Sequence, residues 1–440
     1  MKELRSFTIS PELKERLTDE VTLHRVIISP EKGEDIDRVA ARIEQKLKLK
    51  GKKCLRRTQH YIFAELKKKE IEAIARSVRE IGKIWPDRKI NKALDRSVKT
   101  IKADALWRTF EGFGEGITWA VLDTGIDAGH PHFKRHKNVA EDLCGDFTGV
   151  GSYKDVDGHG THVAGIIAGE GEGHYMRIVE GEAKKRKVAA TGVAPRAKLV
   201  ALKVLDDEGS GSESWIIEAM EYIRLCNESV SEMAIHGANL SLSGPFKVGS
   251  YGCGHTPLCE EADRLVHSGV VVCVAAGNEG FNVYRILGAE EDYYYAHYSP
   301  MTISDPGNAH EVITVGSTHK LNPHTYGVTY FSGKGPTGDG RVKPDLVAPG
   351  EKIVSALSRV SGEGRRLKNK DISYTVMSGT SQATPHTSGA IALFLSLKPE
   401  FIGRPLDVKR IIMDTCTDLG REKYLQGRGL LDLFRAIQSV

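Results

Sequence analysis

The chain has 440 residues, with 62 Lys and Arg, 58 Asp and Glu, and a formal net charge of +4. Apolar residues make up 40% and charged residues 27%, which is ordinary for globular proteins and excludes a wholly disordered or fibrous chain. The longest strongly apolar run, Gly269–Gly277, is about half as long as a membrane-spanning helix. The first ten residues lack the apolar stretch of a secretion signal. We therefore expect a cytoplasmic protein without a membrane partner.

Seven cysteines are scattered along the chain without a regular spacing. They are Cys54, Cys144, Cys226, Cys253, Cys259, Cys273 and Cys416. Their odd number, together with the missing signal, favours reduced thiols over a disulfide framework. Cys253 and Cys259 flank His255 and suggest a metal site, but no fourth ligand completes the set. We interpret them as loop cysteines.

The small net charge is unevenly distributed. Residues 1–100 hold 26 basic and 16 acidic residues, whereas residues 101–440 hold 36 and 42. A basic N-terminal segment attached to an acidic body predicts an intramolecular partner that docks partly by opposite charge. A nucleic-acid-binding arm is the alternative. It is disfavoured because the lysines within residues 46–53 have no aromatic residues between them, so we expect no nucleic-acid partner.

Residues 1–98 predict a small α+β unit in the order β-α-β-β-α-β. The predicted elements are a strand at His24–Ser29, a helix with apolar residues at Ile36, Val39, Ile43 and Leu47, strand material over Leu55–Leu66, a helix at Lys68–Val78 and a strand at Ile81–Ile90. Residues 91–100 are polar, without a clear period, and are the best candidate for a linker. The second predicted domain comprises residues 99–440.

From residue 101 onwards, short apolar runs alternate with helical patterns. The runs are Ile117–Leu122, Leu199–Leu205, Ala238–Leu242, Val270–Ala275 and Val312–Val315, and the helical stretches include Ser214–Cys226 and Leu258–His267. This alternation predicts an α/β fold with a doubly wound, mainly parallel sheet that helices cover on both faces. Ligands bind beyond the C-terminal strand ends of such sheets, so we expect the chemistry there.

Two candidate catalytic residues lie near the start of this second region. Asp123 closes the first apolar run and is followed by Thr-Gly, which is typical of a strand exit. A turn or helix-capping Asp is the alternative. His159 lies in Asp157-Gly-His-Gly-Thr-His-Val-Ala-Gly165, where glycines allow the backbone to bend closely round the imidazole. A metal held by His159 and His162 is the alternative, but no further ligand completes it.

Two more candidates lie further along the chain. Ser381 precedes an apolar helical stretch, so we expect its hydroxyl at a helix N-terminus that favours developing negative charge. Pro385 is compatible with the first turn of that helix. Asn278 follows the strand that begins at Val270, where its amide can donate to an oxyanion. An N-cap Ser and a turn Asn are the alternatives, but four such motifs at element ends are hard to obtain by chance.

Residues from about 101 to 440 resemble the subtilisin family of serine endopeptidases, in an intracellular AprX-type branch. The matching motifs are Val-Leu-Asp123-Thr-Gly-Ile-Asp, His159-Gly-Thr-His-Val-Ala-Gly, Ala-Ala-Gly-Asn278-Glu-Gly, Gly-Thr-Ser381-Gln-Ala-Thr-Pro, and the segments at 203–212, 239–245, 331–336 and 343–350. The resemblance implies hydrolysis of peptide bonds in proteins by acyl transfer through an Asp-His-Ser triad. Asn278 and the Ser381 N–H would then hold the oxyanion.

The resemblance also implies substrate-binding segments. They are Gly209, Ser210 and Gly211, then Ser241, Leu242, Ser243 and Gly244, and finally Ala275, Ala276 and Gly277. The first two would pair with the backbone of protein and peptide substrates, which demands little of their sequence. The third would form a wall of a roomy pocket for the residue before the cleaved bond. A plain turn at 209–211 and a buried strand end at 275–277 are the alternatives.

The sequence departs from the family at several places. Gln382 follows the nucleophile where secreted relatives often carry Met, so we expect resistance to peroxide. A charged insertion at Gly169–Thr191 lacks the usual Asn-rich calcium string, so we expect no cofactor, with calcium as the open alternative. Further insertions lie at 246–260 and 281–300, the second with Tyr293, Tyr294 and Tyr295 beside the pocket or in a solvated loop.

The first unit resembles the family's pro-domain, which implies a folding chaperone and inhibitor with a cleavage site somewhere in 88–100. Three other functions remain open. A pseudoprotease would bind peptides without cleaving them, a ligase or transpeptidase would pass the acyl group to an amine, and a nucleic-acid-binding protein would use residues 1–100.

Overall fold

The computed structural model describes residues 8–10, 13–14, 17, 19–48, 55–58, 60–86, 96–179, 182–244, 252–286, 293–360 and 371–440. The chain divides into two compact units, Met1–Ala93 and Leu94–Val440. This division falls a few residues before the one expected at 98/99. No helix in the described ranges combines the length and the apolar character needed to cross a membrane.

The first unit contains four strands and two helices among its described residues. They are β1 (Leu23–Pro30), α1 (Ile36–Leu47), β2 (Arg56–Arg57), β3 (Ile62–Lys67), α2 (Lys68–Ser77) and β4 (Ile81–Pro86). The antiparallel sheet has the order β2-β3-β1-β4. Apolar residues of both helices, such as Ile43 and Ile74, pack on Val26 and Ile28 of β1. The predicted element order is confirmed, although the strand expected over 55–66 is split in two. Residues 87–90 of the last predicted strand lie outside the described residues.

The second unit is built on a larger sheet. Its strands, with those of three hairpins, are β5 (Thr118–Asp123), β6 (Gly145–Asp146), β7 (Glu170–Val179), β8 (Glu182–Thr191), β9 (Lys198–Lys203), β10 (Gly237–Leu240), β11 (Val271–Ala275), β12 (Phe281–Ile286), β13 (Tyr293–Tyr298), β14 (Ile313–His319), β15 (Leu346–Glu351), β16 (Ile353–Ala356) and β17 (Tyr374–Met377). Seven of them form one parallel sheet in the order β15-β14-β11-β10-β5-β9-β6. The C-terminal ends of β5, β10 and β11 therefore lie side by side.

Helices cover both faces of this sheet. They are α3 (Arg96–Thr100), α4 (Ala103–Thr109), α5 (Pro131–Lys134), α6 (His159–Ile167), α7 (Glu213–Glu228), α8 (Pro257–His267), α9 (Pro323–Tyr326), α10 (Thr380–Leu397), α11 (Pro405–Asp414), α12 (Lys423–Gln426) and α13 (Leu433–Gln438). Alternate residues of β5 point to opposite faces. Trp119 and Val121 join the core with α6 and α10, whereas Ala120 and Leu122 join the core with α7 and α8. The predicted doubly wound α/β fold is confirmed.

The predicted linker is partly wrong. Residues 96–100 form α3, where Val98 is buried together with the following Ile101 in the core beside α10. The Ser97 hydroxyl lies 2.8 Å from Nε2 of His386 on α10. Two apolar side chains three residues apart are enough to anchor one helical turn, although the surrounding sequence is polar. The other half of that linker, residues 91–95, lies outside the described residues.

Two of the insertions form antiparallel hairpins. Strands β7 and β8 pair from Glu170 with Thr191 to Val179 with Glu182, so the charged insertion is a long ribbon rather than a loop. Glycines on β7 allow the ribbon to lie close to the core, because a side chain at Gly171 would collide with the hydroxyl of Tyr374. Strands β12 and β13 form the second hairpin, shortly after Asn278. Of the third insertion, residues 246–251 lie outside the described residues, whereas residues 257–260 begin α8. Cys259 is buried on that helix, so the expectation of a loop cysteine is wrong there.

Candidate active site

Asp123 and His159 meet at the C-terminal end of β5. Asp123 is fully buried, and its Oδ1 accepts the Thr124 N–H at 2.8 Å. The same oxygen lies 2.7 Å from Nδ1 of His159, which is the first residue of α6. The carboxylate therefore accepts the Nδ1 proton and fixes the orientation of the ring. Nε2 of His159 has no hydrogen-bond partner among the described residues, and its side chain is 26% exposed.

Side chains take every N–H group in the first turn of α6. The N–H groups of residues 159–161 donate, in that order, to Asp157 at 3.1 Å, to the Thr124 hydroxyl at 2.9 Å and to Asp155 at 2.7 Å. Helix starts leave such donors without intrahelical partners, so these bonds hold the position of His159. Sequence analysis missed Asp155. Two acidic residues shortly before a predicted helix are the signal that indicates such a cap.

Competing charges set the pKa of His159. Burial is the largest single influence and opposes the charged imidazolium, but the charge and hydrogen bond of the Asp123 carboxylate, together with the charges of Asp155 and Asp157, outweigh it. Together they raise the pKa of His159 to about 9. The imidazolium is therefore unusually stable here, which favours a ring that takes up a proton during a reaction.

Ser381 is the second residue of α10. Its Oγ donates to the Ser241 carbonyl at 3.0 Å, and the Ser241 hydroxyl donates back to the Ser381 carbonyl at 2.8 Å. That carbonyl is available because Pro385, four residues on, has no N–H to offer it. Pro385 lies beyond the first turn, so its expected place was wrong. In the part of the chain that the structure describes, Ser381 and His159 share no hydrogen bond.

Asn278 lies between the end of β11 and the start of α10. Its Oδ1 accepts both the N–H of Thr380, at 2.9 Å, and the Thr380 hydroxyl, at 3.1 Å. Because a backbone N–H requires an acceptor, these bonds assign the amide orientation and leave Nδ2 as the outward donor. Neither Nδ2 nor the Ser381 N–H has a protein partner within the described ranges. Asn278, through its bonds to Thr380, and the Ser381 N–H therefore place two available donors at the start of α10, and such donors are what an oxyanion requires.

The three predicted substrate-binding segments have different environments. Residues 209–211 are exposed, and the Asp206 carboxylate holds their turn through the Ser210 N–H at 2.9 Å. Residues 241–244 follow β10, and the Gly244 N–H is already bonded to the Asp305 carbonyl at 3.1 Å. Residues 275–277 are buried at the end of β11, and the carbonyls of Ala276 and Gly277 accept the N–H groups of Ser304 and Gly333.

The described residues provide no ligand set for the alternative metal sites. His162 is fully buried and its Nε2 lies 3.2 Å from the Ile353 carbonyl; burial lowers its pKa to about 3. No group of three or more His, Cys, Asp or Glu side chains among the described residues is placed to hold a metal ion. The six described cysteines are all free thiols, including Cys253 and Cys259, whereas Cys54 lies outside the described residues.

Comparisons with known proteins agree with this geometry. Residues 114–430 match the sequence profile of peptidase S8, the subtilase family. The serine protease AprX of Bacillus subtilis (strain 168) is 31% identical over 358 residues, which cover 79% of this chain and 72% of that protein. The intracellular serine protease of Paenibacillus polymyxa is 34% identical over 357 residues, 80% of this chain and 88% of that protein. Subtilisin E of Bacillus subtilis (strain 168) is 33% identical over 342 residues, 78% and 70% of the two chains.

The chain therefore belongs to the subtilase family. It is a serine endopeptidase. Its similarity to AprX and to an intracellular serine protease confirms the predicted branch of the family.

Proposed function

We propose that this peptidase hydrolyses proteins with broad specificity through Asp123, His159 and Ser381, with Asn278 in the oxyanion hole. The observation that supports the proposal best is the 2.7 Å contact between His159 Nδ1 and the buried Asp123 carboxylate. It leaves Nε2 as the ring atom that can take a proton. This is the arrangement that activates a serine hydroxyl.

The reaction passes one proton through His159 Nε2 in each of its two halves, acylation and deacylation. When substrate binds, the Ser381 hydroxyl turns from the Ser241 carbonyl towards His159 Nε2, which takes its proton as Oγ attacks the scissile carbonyl carbon. The oxyanion accepts hydrogen bonds from Asn278 Nδ2 and the Ser381 N–H. Nε2 then protonates the leaving amine, the C–N bond breaks, and an acyl-enzyme forms. Water, activated by the same ring, releases the acyl group and restores Ser381.

Replacing the nucleophile tests this function. In Ser381→Ala we expect casein hydrolysis to fall about 10⁶-fold, the size of this effect in subtilisin itself, while the fold is retained. Ser396→Ala is the matched control, since Ser396 lies on the same helix with its hydroxyl on the Leu393 carbonyl. Wild-type-like activity in Ser381→Ala would refute the assignment. A fluorophosphonate that labels the wild type and the control but not Ser381→Ala also excludes a pseudoprotease.

Substrate binding is proposed to use the two chain segments beside the site. Residues 209–211 and 241–244 would take the substrate backbone as an added strand, which explains broad specificity. Residues 275–277 would wall the pocket for a large apolar residue before the cleaved bond. Cleavage products of a peptide library test both points. Enrichment of one fixed residue on each side of the cut would contradict broad specificity.

The N-terminal unit is proposed to act as an intramolecular chaperone and inhibitor. The opposite charges of the two parts of the sequence support it. Because Ser97 and Val98 are buried in the peptidase unit, the bonds from 96 to 101 should survive maturation. Mass spectrometry of the mature N-terminus tests this: a first residue after Arg96 would contradict it.

The remaining expectations are proposed in the same way. We expect a cytoplasmic enzyme that needs no cofactor and binds neither nucleic acid nor membrane. The intracellular relatives support the location. Undiminished peptide hydrolysis after exhaustive chelation is the expected result for the cofactor, and loss of hydrolysis that calcium restores would show the alternative.

A further inference from the structure

Asp155 is a carboxylate at the catalytic centre to which the mechanism above gives no part. We propose that Asp155 is a positioning residue for the reaction: it holds the strand end that carries Asp123 against the helix start that carries His159, and its negative charge stabilises the imidazolium of His159. This inference rests on the proposed function, because it needs His159 to be the base.

The Asp155 carboxylate joins backbone from two elements. Its Oδ1 accepts the hydroxyl of Thr124, the residue after Asp123, at 2.8 Å. The same oxygen accepts the Gly158 N–H, just before α6, at 2.7 Å, and Oδ2 accepts the Thr161 N–H inside the helix at 2.7 Å. One side chain therefore fixes the end of β5 relative to the start of α6.

The burial of Asp155 indicates that its negative charge is functional. The residue is fully buried, and no cationic side chain pairs with it in the described ranges. Burying an ionised carboxylate without a counter-ion costs several kcal/mol, whereas a neutral Asn or Ser also caps a helix. Burial raises the pKa of Asp155 to about 6, against the hydrogen bonds from the neighbouring N–H and O–H groups. The carboxylate is therefore largely ionised at and above neutral pH.

The charge acts on His159. Burial and the positive end of α6 both disfavour an imidazolium, and Asp123, Asp155 and Asp157 oppose them. When His159 takes the serine proton, Asp155 lowers the energy of that state without touching the substrate. The other charged or titratable groups packed around these residues are Asp127, His162, Lys203, Asp207 and Arg359.

Asp155→Asn separates this role from a merely structural cap. The Asn keeps the size and one acceptor but loses the charge. We expect kcat to fall about 10²-fold, the effect of small misplacement at a catalytic centre, and the acidic limb of kcat/KM against pH to move down by up to about one unit. Asp263→Asn is the matched control, since Asp263 accepts the N–H groups of His310 and Glu311 far from the site. It should keep the wild-type pH profile.

If the acidic limb of Asp155→Asn stays in place while its melting temperature falls, Asp155 does not stabilise the imidazolium of His159. Its role would then be only that of a helix cap. Fluorophosphonate labelling of Ser381 in the same variant keeps this result distinct from failure of the triad itself. Labelling without a pH shift refutes only the role of Asp155.

Variants of Thr124 test the positioning part even where Asp155→Asn fails to fold. Thr124→Val has nearly the same shape but removes the hydroxyl that links Asp155 to the strand end. Thr124→Ser restores that hydroxyl. We expect kcat of the Val variant to be about tenfold below that of the Ser variant, because Thr124→Val loses two buried hydrogen bonds, the donation to Asp155 and the acceptance of the Gly160 N–H. Equal kcat in the two variants would overturn the proposed link.

Discussion

The helices that carry His159 and Ser381 begin in opposite ways. At the start of α6, side chains of Asp157, Thr124 and Asp155 take all three N–H groups of the first turn. At the start of α10, Asn278 takes the first N–H, but the N–H of Ser381 has no partner among the described residues. In the proposed mechanism His159, as the base, must keep its position, whereas Ser381, as the nucleophile, needs free donors beside it. The same local structure therefore serves two purposes, depending on its caps.

The residues before each helix explain the difference. Two acidic residues precede α6, and each accepts an N–H of that helix. Gly379 precedes α10, where a side chain's Cβ would lie 3.5 Å from Nδ2 of Asn278. In the proposed mechanism, a carboxylate cap at that place would compete with the oxyanion for its donors, because both are anions that bind at a helix N-terminus. The open start of α10 thus depends on the absence of a capping side chain.

After the loss of the nucleophile itself, removing a donor from the start of α10 should have the largest effect. In Asn278→Ala we expect kcat to fall about 10²–10³-fold with little change in KM, the size found for this substitution in subtilisin itself. Stopped assays on a chromogenic peptide give both constants. Asn282→Ala is the control, since its amide donates to the Glu279 carbonyl at 3.1 Å. A raised KM at unchanged kcat would instead assign Asn278 to substrate binding.

The pH dependence of hydrolysis tests the start of α6, where side chains take all three N–H groups of the first turn. Because the pKa of His159 is raised to about 9, the neutral ring that can accept a proton becomes dominant only above that pH. We expect kcat/KM to rise about tenfold per pH unit on the acid side of the pKa. Initial rates on a neutral peptide from pH 6 to 10 check this. A plateau already reached at pH 7 would show that the carboxylates influence the ring less than their positions indicate.

The raised pKa of His159 also predicts how the free energy of unfolding changes with pH. A pKa that is raised on folding means that the folded state binds the proton more tightly than the unfolded chain. The contribution of the His159–Asp123 pair is therefore complete below pH 6.5 and is lost as the pH rises through about 9. Urea unfolding of Ser381→Ala, which avoids self-digestion, should show this decline. It should be absent from a double variant that also carries His159→Gln.

The sequence alone was sufficient for the residues whose neighbours in the chain determine their place. Asp123 ends an apolar strand, and His159 follows a glycine at the start of a small-residue helix, so both could be assigned to the sheet edge. Asp155 could not be distinguished from Asp157, because burial of one acidic residue rather than the other depends on Thr124, 31 positions away. Local patterns carry no such information.

Tertiary packing also decided the elements that were missed. The polar sequence around Val98 gave no sign of α3, since its burial beside α10 depends on residues nearly 300 positions later. The paired bonds between Ser241 and Ser381 need a carbonyl that Pro385 leaves free, a consequence visible only once the helix is known to run through the proline. The charged ribbon β7–β8 approaches the core through glycines of β7. No hydrophobic period in the sequence predicts that packing.

A smaller effect is expected from the residue that orients the oxyanion donor. Thr380→Val removes the hydroxyl bond to Asn278 Oδ1 but keeps the backbone bond at 2.9 Å. We expect kcat to fall about fivefold, in line with one lost hydrogen bond, and Thr380→Ser to restore it. A loss as large as that of Asn278→Ala would mean that the Thr380 hydroxyl itself touches the oxyanion.

The smallest expected change is the response to peroxide. Gln382 follows the nucleophile and cannot be oxidised, so hydrolysis should persist after exposure. The described thiol behind Asn278, Cys273, is fully buried, and burial raises its pKa to about 12, which makes it unreactive. The half-buried Met377, however, has its sulfur 3.9 Å from Nε2 of Gln382.

Met377→Leu therefore completes the peroxide experiment. If the wild type loses activity and Met377→Leu does not, the oxidisable sulfur acts through Gln382 beside the open helix start. If both lose activity alike, the residue after the nucleophile does not determine resistance, and the prediction from Gln382 is wrong. The measured quantity is the casein hydrolysis that remains after peroxide. Gln382→Met, which places an oxidisable residue after the nucleophile, is the positive control. A sulfoxide at Met377 would add a polar oxygen next to the start of α10, where a partial negative charge competes for the donors that the oxyanion needs.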